Sequence, residues 1–317
     1  MSRHGFLCIC LSPAIDATVR MDVWPTDGCV IKNAADTFAP GGKAVNVARW
    51  LARRSLAAAS GKQANGERRE PPQHLIACSG LLGEDNAAMF EKELKEYGIE
   101  DRFVRIPGST RVNEMFVTPQ GSFKVNRPAG GKFEGFEKFE RFEGFDVVIL
   151  SGSLPKGWPV DTYRHLAEAA KKAGAKVVLD ASGEALVEGV KAHPDVIKPN
   201  AEECEPLVGF VPKAPDDFRR ATAALKAFCG YPIVSDGGAG CWFDGEFVAA
   251  PKVEVLDTTA AGDTLLAEWC WRRFGGLEGV GGLEVGRWAV AAGSAACTMP
   301  GGTPPDIGLV EQLAKNM

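Results

Sequence analysis

A chain of 317 residues, 45% apolar and 24% charged, has enough apolar material for one large core and no apolar run of membrane-spanning length, which argues against a bilayer-spanning protein. A net charge of −5 disfavours a nucleic-acid partner, which needs a dense basic face, so an anionic small substrate must find local Lys and Arg. Nine scattered cysteines form no CxxC pair and, with four histidines in unrelated contexts, no zinc-type cluster; reduced, mostly buried thiols and a cytoplasmic location are expected.

Residues 6–11, behind Arg3, are too short an apolar run for a signal peptide and read as the first buried strand. Further buried strands are expected at 74–79, 147–151, 176–179, 196–198 and 231–235. Helices are expected at 44–54, 86–96, 160–173, 185–192, 215–228, 263–274 and 283–297. This alternation predicts an α/β fold with a mainly parallel central sheet and helices on both faces, a single domain over 1–317. Two β-rich insertions, about 17–39 and 102–128, break the rhythm and are expected to pair as a small antiparallel lid, with Pro119-Gln-Gly121 as a turn. The polar stretch 61–73 reads as an exposed, mobile loop. Residues 133–145 carry Phe at every third position and predict a short amphipathic helix on the core, with a partner-binding ridge as the alternative.

Five motifs offer chemistry. Ser12-Pro-Ala-Ile-Asp16 follows the first strand, where open α/β sheets bind ligands, so Asp16 is either a polyol ligand or a turn residue. Pro40-Gly-Gly-Lys-Ala-Val-Asn46 opens a helix; its free N–H groups, the Lys43 ammonium and the Asn46 amide suit a hydroxylated anion. In Lys198-Pro-Asn200-Ala-Glu-Glu203, Asn200 and Glu203 suit hydrated Mg²⁺ on nucleotide phosphates, or equally a helix capping box. Ser235-Asp-Gly237-Gly-Ala-Gly240 is a hairpin turn or a nucleotide-phosphate turn, and the following Cys241-Trp-Phe continues as a strand. Finally, Asp257-Thr-Thr259-Ala260-Ala261-Gly262-Asp263 runs from a turn of small residues into an apolar helix. Backbone N–H groups from Ala260 to Asp263 form an anion site, and Asp263 is a helix-end stabiliser or a general base.

In this order the motifs resemble the ribokinase-like, phosphofructokinase B carbohydrate kinases: Gly41-Gly42-Lys43-Ala-Val-Asn46-Val-Ala-Arg49 resembles the N-terminal signature, Lys198-Pro-Asn200 the middle motif and residues 257–264 the C-terminal signature. The resemblance covers almost the whole chain. It implies a three-layer αβα fold with a β lid, ATP and Mg²⁺ dependence, and phosphoryl transfer to a sugar hydroxyl. Lys43, Ser151-Gly-Ser-Leu-Pro-Lys-Gly157, Asp180-Ala-Ser-Gly-Glu-Ala-Leu186 and Thr110-Arg-Val-Asn113 are similar to the phosphosugar branch, which contains 1-phosphofructokinases and tagatose-6-phosphate kinases.

By resemblance, Lys43 and Arg111 bind the substrate phosphate, while Asp16 and Asn46, with Gly41 and Gly42, bind the sugar. Asn200 and Glu203 serve the Mg²⁺ region; Lys198, Ser235, Gly237 and Gly240 lie along the nucleotide; Asp257 and Thr259, with the loop after Cys297, match a monovalent-cation site, potassium. Fructose 1-phosphate is the first expectation, ahead of tagatose 6-phosphate, fructose 6-phosphate, or an unphosphorylated sugar or nucleoside. A catalytically idle sugar-phosphate sensor is the non-enzyme alternative, and a homodimer joined through the lid the expected assembly. Two departures stand out. Ala260 replaces the first Gly of the anion turn, which a negative φ would accommodate, and the lid stretches Asn113-Glu-Met and Lys124-Val-Asn-Arg-Pro-Ala-Gly130 do not match fructose-1-phosphate enzymes closely.

Overall fold

The computed structural model describes residues 4–31, 34–60, 74–129, 135–276 and 281–317. In chain order it holds β1 (Gly5–Cys10), β2 (Ala14–Met21), β3 (Ala34–Gly41), α1 (Lys43–Ser60), β4 (Leu75–Gly83), α2 (Ala88–Tyr97), β5 (Glu100–Ile106), β6 (Val112–Thr118), β7 (Gly121–Val125) and β8 (Val147–Ser151). Then come α3 (Thr162–Lys172), β9 (Lys176–Asp180), α4 (Gly183–Gly189), β10 (Val196–Ile197), α5 (Glu205–Val208), α6 (Pro215–Leu225), β11 (Tyr231–Ser235), β12 (Gly240–Phe243), β13 (Glu246–Ala249), α7 (Ala261–Phe274), α8 (Gly282–Ala296) and α9 (Ile307–Lys315). The main sheet runs β13-β12-β11-β10-β9-β8-β1-β4-β5, parallel from β11 to β5, with an antiparallel hairpin at the other edge.

Its central strands are apolar through their middles because both faces are covered. In β1 and just beyond, Phe6, Cys8 and Cys10 join a core shared with α1, α7 and α8, while Leu7, Ile9 and Leu11 join the core under α3, α4 and α6. Trp50 of α1 is fully buried against α7, where its indole Nε1 donates to Glu268 at 2.9 Å. Burying an indole of this size contributes on the order of 4–6 kcal/mol before ordering entropy. The buried Glu268 carboxylate is compensated by Arg54 at 3.3 Å and Arg272 at 2.7 Å, as a charge at that depth requires.

Three expectations are corrected. The small second sheet, β3-β2-β6-β7, is mixed: β2 pairs parallel with β6, so it is not the antiparallel sheet expected. Residues 102–106 belong to β5, the edge of the main sheet, instead of the lid. The Phe-rich segment forms no helix in its described part, 135–145; Gly135 and Gly144 take φ of +109° and +83°, and turns carry Phe139, Phe142 and Phe145 into the core. The 61–73 stretch and residues 130–134 lie outside the described residues.

Parallel connections put one set of loops at the carboxyl ends of the strands. Ser12 follows β1, Ser151 ends β8, Asp180 ends β9, Lys198 follows β10 and Ser235 ends β11, and the N-termini of α1 and α7 meet above them.

Candidate active site

Gly41 and Gly42 make the approach to α1 close. A Cβ on Gly41 would lie 2.1 Å from Asp16 Oδ2, and Gly42, at φ +116°, would place one 2.7 Å from Cys10 Sγ. The turn therefore seats Lys43 above the β-strand ends, where its Nζ donates to Asp180 Oδ1 at 3.2 Å. Lys198 Nζ lies 3.3 Å from the same oxygen, and Ser151 Oγ donates to the other at 3.1 Å. Burial alone would raise the Asp180 carboxyl, but the Lys198 and Lys43 ammoniums hold it below its ordinary value. Burial likewise works against the charge on Lys43, yet Asp180 and Asp263 raise its affinity for a proton overall.

The entry into α7 departs from expectation at Ala260, which has φ +62° rather than a negative value. A left-handed conformation costs a non-glycine residue roughly 1–2 kcal/mol and persists where surroundings enforce it. Here Thr264 N donates to Ala260 O at 2.8 Å, and Ala260 Cβ lies 3.6 Å from where a Gly302 Cβ would stand. The residues after this reversal, Ala261, Gly262 and Asp263, line one concavity. Ala261 N donates to Thr258 O at 3.3 Å, which removes one of the four expected donors; the N–H groups of Gly262 and Asp263 have no acceptor among the described residues. The Lys198 ammonium adjoins this turn, 3.5 Å from where a Gly262 Cβ would stand.

Asp263, buried in the first turn of α7, accepts a 2.7 Å hydrogen bond from Asn46 Nδ2. Burial, then the Asp180 carboxylate, push its pKa up to about 6, against the opposing pull of Lys43, Asn46 and Lys198. That is the range a general base needs near neutral pH. The Asn46 amide is oriented by Arg49, whose Nη1 donates to Asn46 Oδ1 at 3.2 Å and to Gly302 O at 2.9 Å, while Glu93 anchors the guanidinium at 2.6 Å.

The other expected residues divide. Asp16 shares a 3.3 Å bond with Asn113 of the lid, and burial raises its carboxyl. Arg111 spends three of its five N–H donors on the carbonyls of Pro13, Arg127 and Ser12, leaving two for a ligand. Asn200 and Glu203 form a reciprocal capping box, at 2.9 and 2.8 Å, and line neither cavity described below. Asp257 draws together the two segments expected for a cation. It accepts from Thr259 N at 2.8 Å and Gly301 N at 3.1 Å, and these bonds outweigh burial to hold its carboxyl below the ordinary range.

Two cavities meet at the anion turn. One, about 480 Å³, lies under the lid and is lined by Asp16, Lys43, Asn46, Arg111, Lys198 and Asp263. The other, about 590 Å³ and largely apolar, is lined by Ser235, Gly237, Gly240, Val253, Leu265 and Val290. Thr258, Ala261 and Gly262 belong to both. Lys198 thus falls on the lid side, not along the second cavity where Ser235, Gly237 and Gly240 stand. A larger hollow, about 680 Å³, lies against β5 and touches none of these strand-end residues.

Asp180, Ser151 and Arg49 were quoted in motifs but given no role; Arg49 follows Asn46 by three residues on α1, the spacing that puts two side chains on one helical face. Ser12 Oγ was also missed: it is buried, lines the lid cavity and has no hydrogen-bond partner among the described residues, which suits a ligand hydroxyl.

The family model of the pfkB family carbohydrate kinases matches residues 11–307. The 1-phosphofructokinase of Rhodobacter capsulatus is 33% identical over 273 residues, 82% of this chain and 80% of its own. The Vibrio cholerae 1-phosphofructokinase is 30% identical over 305 residues, 92% and 89%. The Escherichia coli phosphofructokinase-2 structure in complex with potassium shares the fold, with a TM-score of 0.82 at 23% identity over 100% of this chain and 99% of that one. On this match the chain belongs to the pfkB family of ATP-dependent carbohydrate kinases.

Proposed function

We propose that the chain transfers the γ-phosphoryl group of ATP to a hydroxyl of fructose 1-phosphate, yielding fructose 1,6-bisphosphate and ADP in the cytoplasm. The observation that carries this reading is the position of Asp263 at the junction of a polar, cation-lined cavity and an apolar one. A sugar phosphate fits the first, with Asp16, Asn46 and Ser12 toward its hydroxyls and Lys43 and Arg111 toward its phosphate. An adenine nucleotide fits the second, beside Ser235, Gly237 and Gly240. The sugar oxygen forms a bond to the γ-phosphorus as the bond to the β-phosphate oxygen breaks, and the hydroxyl proton passes to Asp263. Unpartnered N–H groups at Gly262 and Asp263, with Lys198 alongside, stabilise charge on the group in transfer.

Mg²⁺ on the ATP phosphates supplies charge neutralisation. Asn200 and Glu203 would hold it through its own waters, because their capping box already engages Asn200 Oδ1, that amide's single oxygen, and Glu203 Oε2. Potassium is assigned to the Asp257 and Thr259 segment beside the loop after Cys297. The homodimer is assigned to the lid, where Trp24 and Phe123 stack edge to face at 5.8 Å and Phe38 is exposed.

A coupled ADP-release assay across fructose 1-phosphate, fructose 6-phosphate, tagatose 6-phosphate, ribose and adenosine tests the assignment. Preference for fructose 1-phosphate by at least tenfold in kcat/KM, ~1.4 kcal/mol of transition-state binding, is expected; preference for ribose or adenosine would overturn the phosphosugar reading.

A further inference from the structure

The lid cavity holds four cations, and three are already engaged. Lys43 and Lys198 share the Asp180 carboxylate, and Arg111 is tied to three backbone carbonyls. Lys124 differs. It sits on β7, the outer lid strand, opposite Met115 of β6, and its Nζ donates to Thr259 Oγ1 at 3.2 Å, 135 residues away in sequence. That neutral hydroxyl is its only hydrogen-bond partner among the described residues; Asp16 and Asp257 act on it from farther off. An ammonium held by a hydroxyl retains most of its capacity for an anion.

Its place decides which anion. Thr259 immediately precedes Ala260, so Lys124 stands at the mouth of the turn whose Gly262 and Asp263 N–H groups are unpartnered. Arg111, by contrast, is anchored at Ser12 and Pro13, beyond the end of β1. We propose that Lys124 is a catalytic residue of the closed site, leaving Thr259 Oγ1 to bind the phosphoryl group in transfer. This rests on the kinase reading above. Lys124 contributes charge and a hydrogen bond; the acceptor's proton goes to Asp263. The lid strand carries the cation, so the lid must lie over the turn for the charge to arrive, which couples closure to chemistry.

The test compares wild type with Lys124→Met and Lys124→Arg, both exposed substitutions checked for folding by circular dichroism. With MgATP and the best sugar phosphate, Lys124→Met is expected to lose about 100-fold in kcat while KM for the sugar phosphate stays within about threefold, and Lys124→Arg to recover at least tenfold of that loss. Calorimetry gives a readout independent of turnover. Affinity for aluminium fluoride in the presence of MgADP and sugar phosphate should fall at least about tenfold in Lys124→Met, with MgADP affinity unchanged. A kcat within threefold of wild type would overturn the proposal, as would a raised KM with kcat kept, which would assign Lys124 to the acceptor's own phosphate. A wild-type chain that releases no ADP with any sugar phosphate would overturn the kinase reading itself, before any variant is compared.

Discussion

Replacing Asp180 by Asn removes the one carboxylate that Lys43 and Lys198 share while keeping side-chain volume. Asp180 is fully buried and the Lys198 side chain is 7% exposed, so that ammonium loses its counter-charge where water cannot replace it. Removing one partner of a buried pair costs about 3–5 kcal/mol. The Lys43 side chain is 40% exposed and its share is screened, which places the expected loss near the lower end, about 3 kcal/mol. Urea unfolding at pH 7 measures it as a drop in midpoint at constant slope. The same variant removes the carboxylate that, after burial, contributes most to raising Asp263, so the acid limb of kcat/KM should move to lower pH. A stability loss under about 1 kcal/mol, with an unmoved acid limb, would show that Asp180 neither holds the lysines nor acts on Asp263.

In the wild type, kcat/KM should rise about tenfold per pH unit below 6 and level off above about 7, because the base works only when ionised and its pKa stands near 6. A flat profile between pH 5 and 8 would refute this. The sign for stability is opposite: the folded chain retains a proton that the unfolded chain, at 3.8, has lost, so the Asp263 contribution falls as pH rises from about 4 to 6. Lys43→Ala should raise KM for a sugar phosphate by about tenfold or more, and that for an unphosphorylated sugar much less. Equal effects on both would favour a ribokinase-type acceptor.

Much of this site was legible because its chemistry rides on local signals. A Gly-Gly turn opening a helix at Lys43 and a small-residue turn opening one at Asp263 each change backbone pattern within a few residues, and the structure brings Asn46 and Asp263 to 2.7 Å across 217 positions. What escaped was set by neighbours. The alternating pattern of residues 102–106 serves a lid strand or a main-sheet edge equally well; pairing with β4 decides, and sequence does not encode it locally. The Phe repeat of 133–145 has a helix-like period, but Gly135 and Gly144 adopt backbone angles no helix contains. The positive φ of Ala260, at the entry to α7, runs against the residue's own preference and carries no local signal in the sequence.

The account stands on Asp263 as the group that takes the sugar proton, and Asp263→Asn tests it most directly. The amide keeps the shape, so ATP and sugar-phosphate affinities, read by calorimetry, should stay within about tenfold while kcat falls by about 10²–10⁴. Near-normal turnover in that variant would contradict the account.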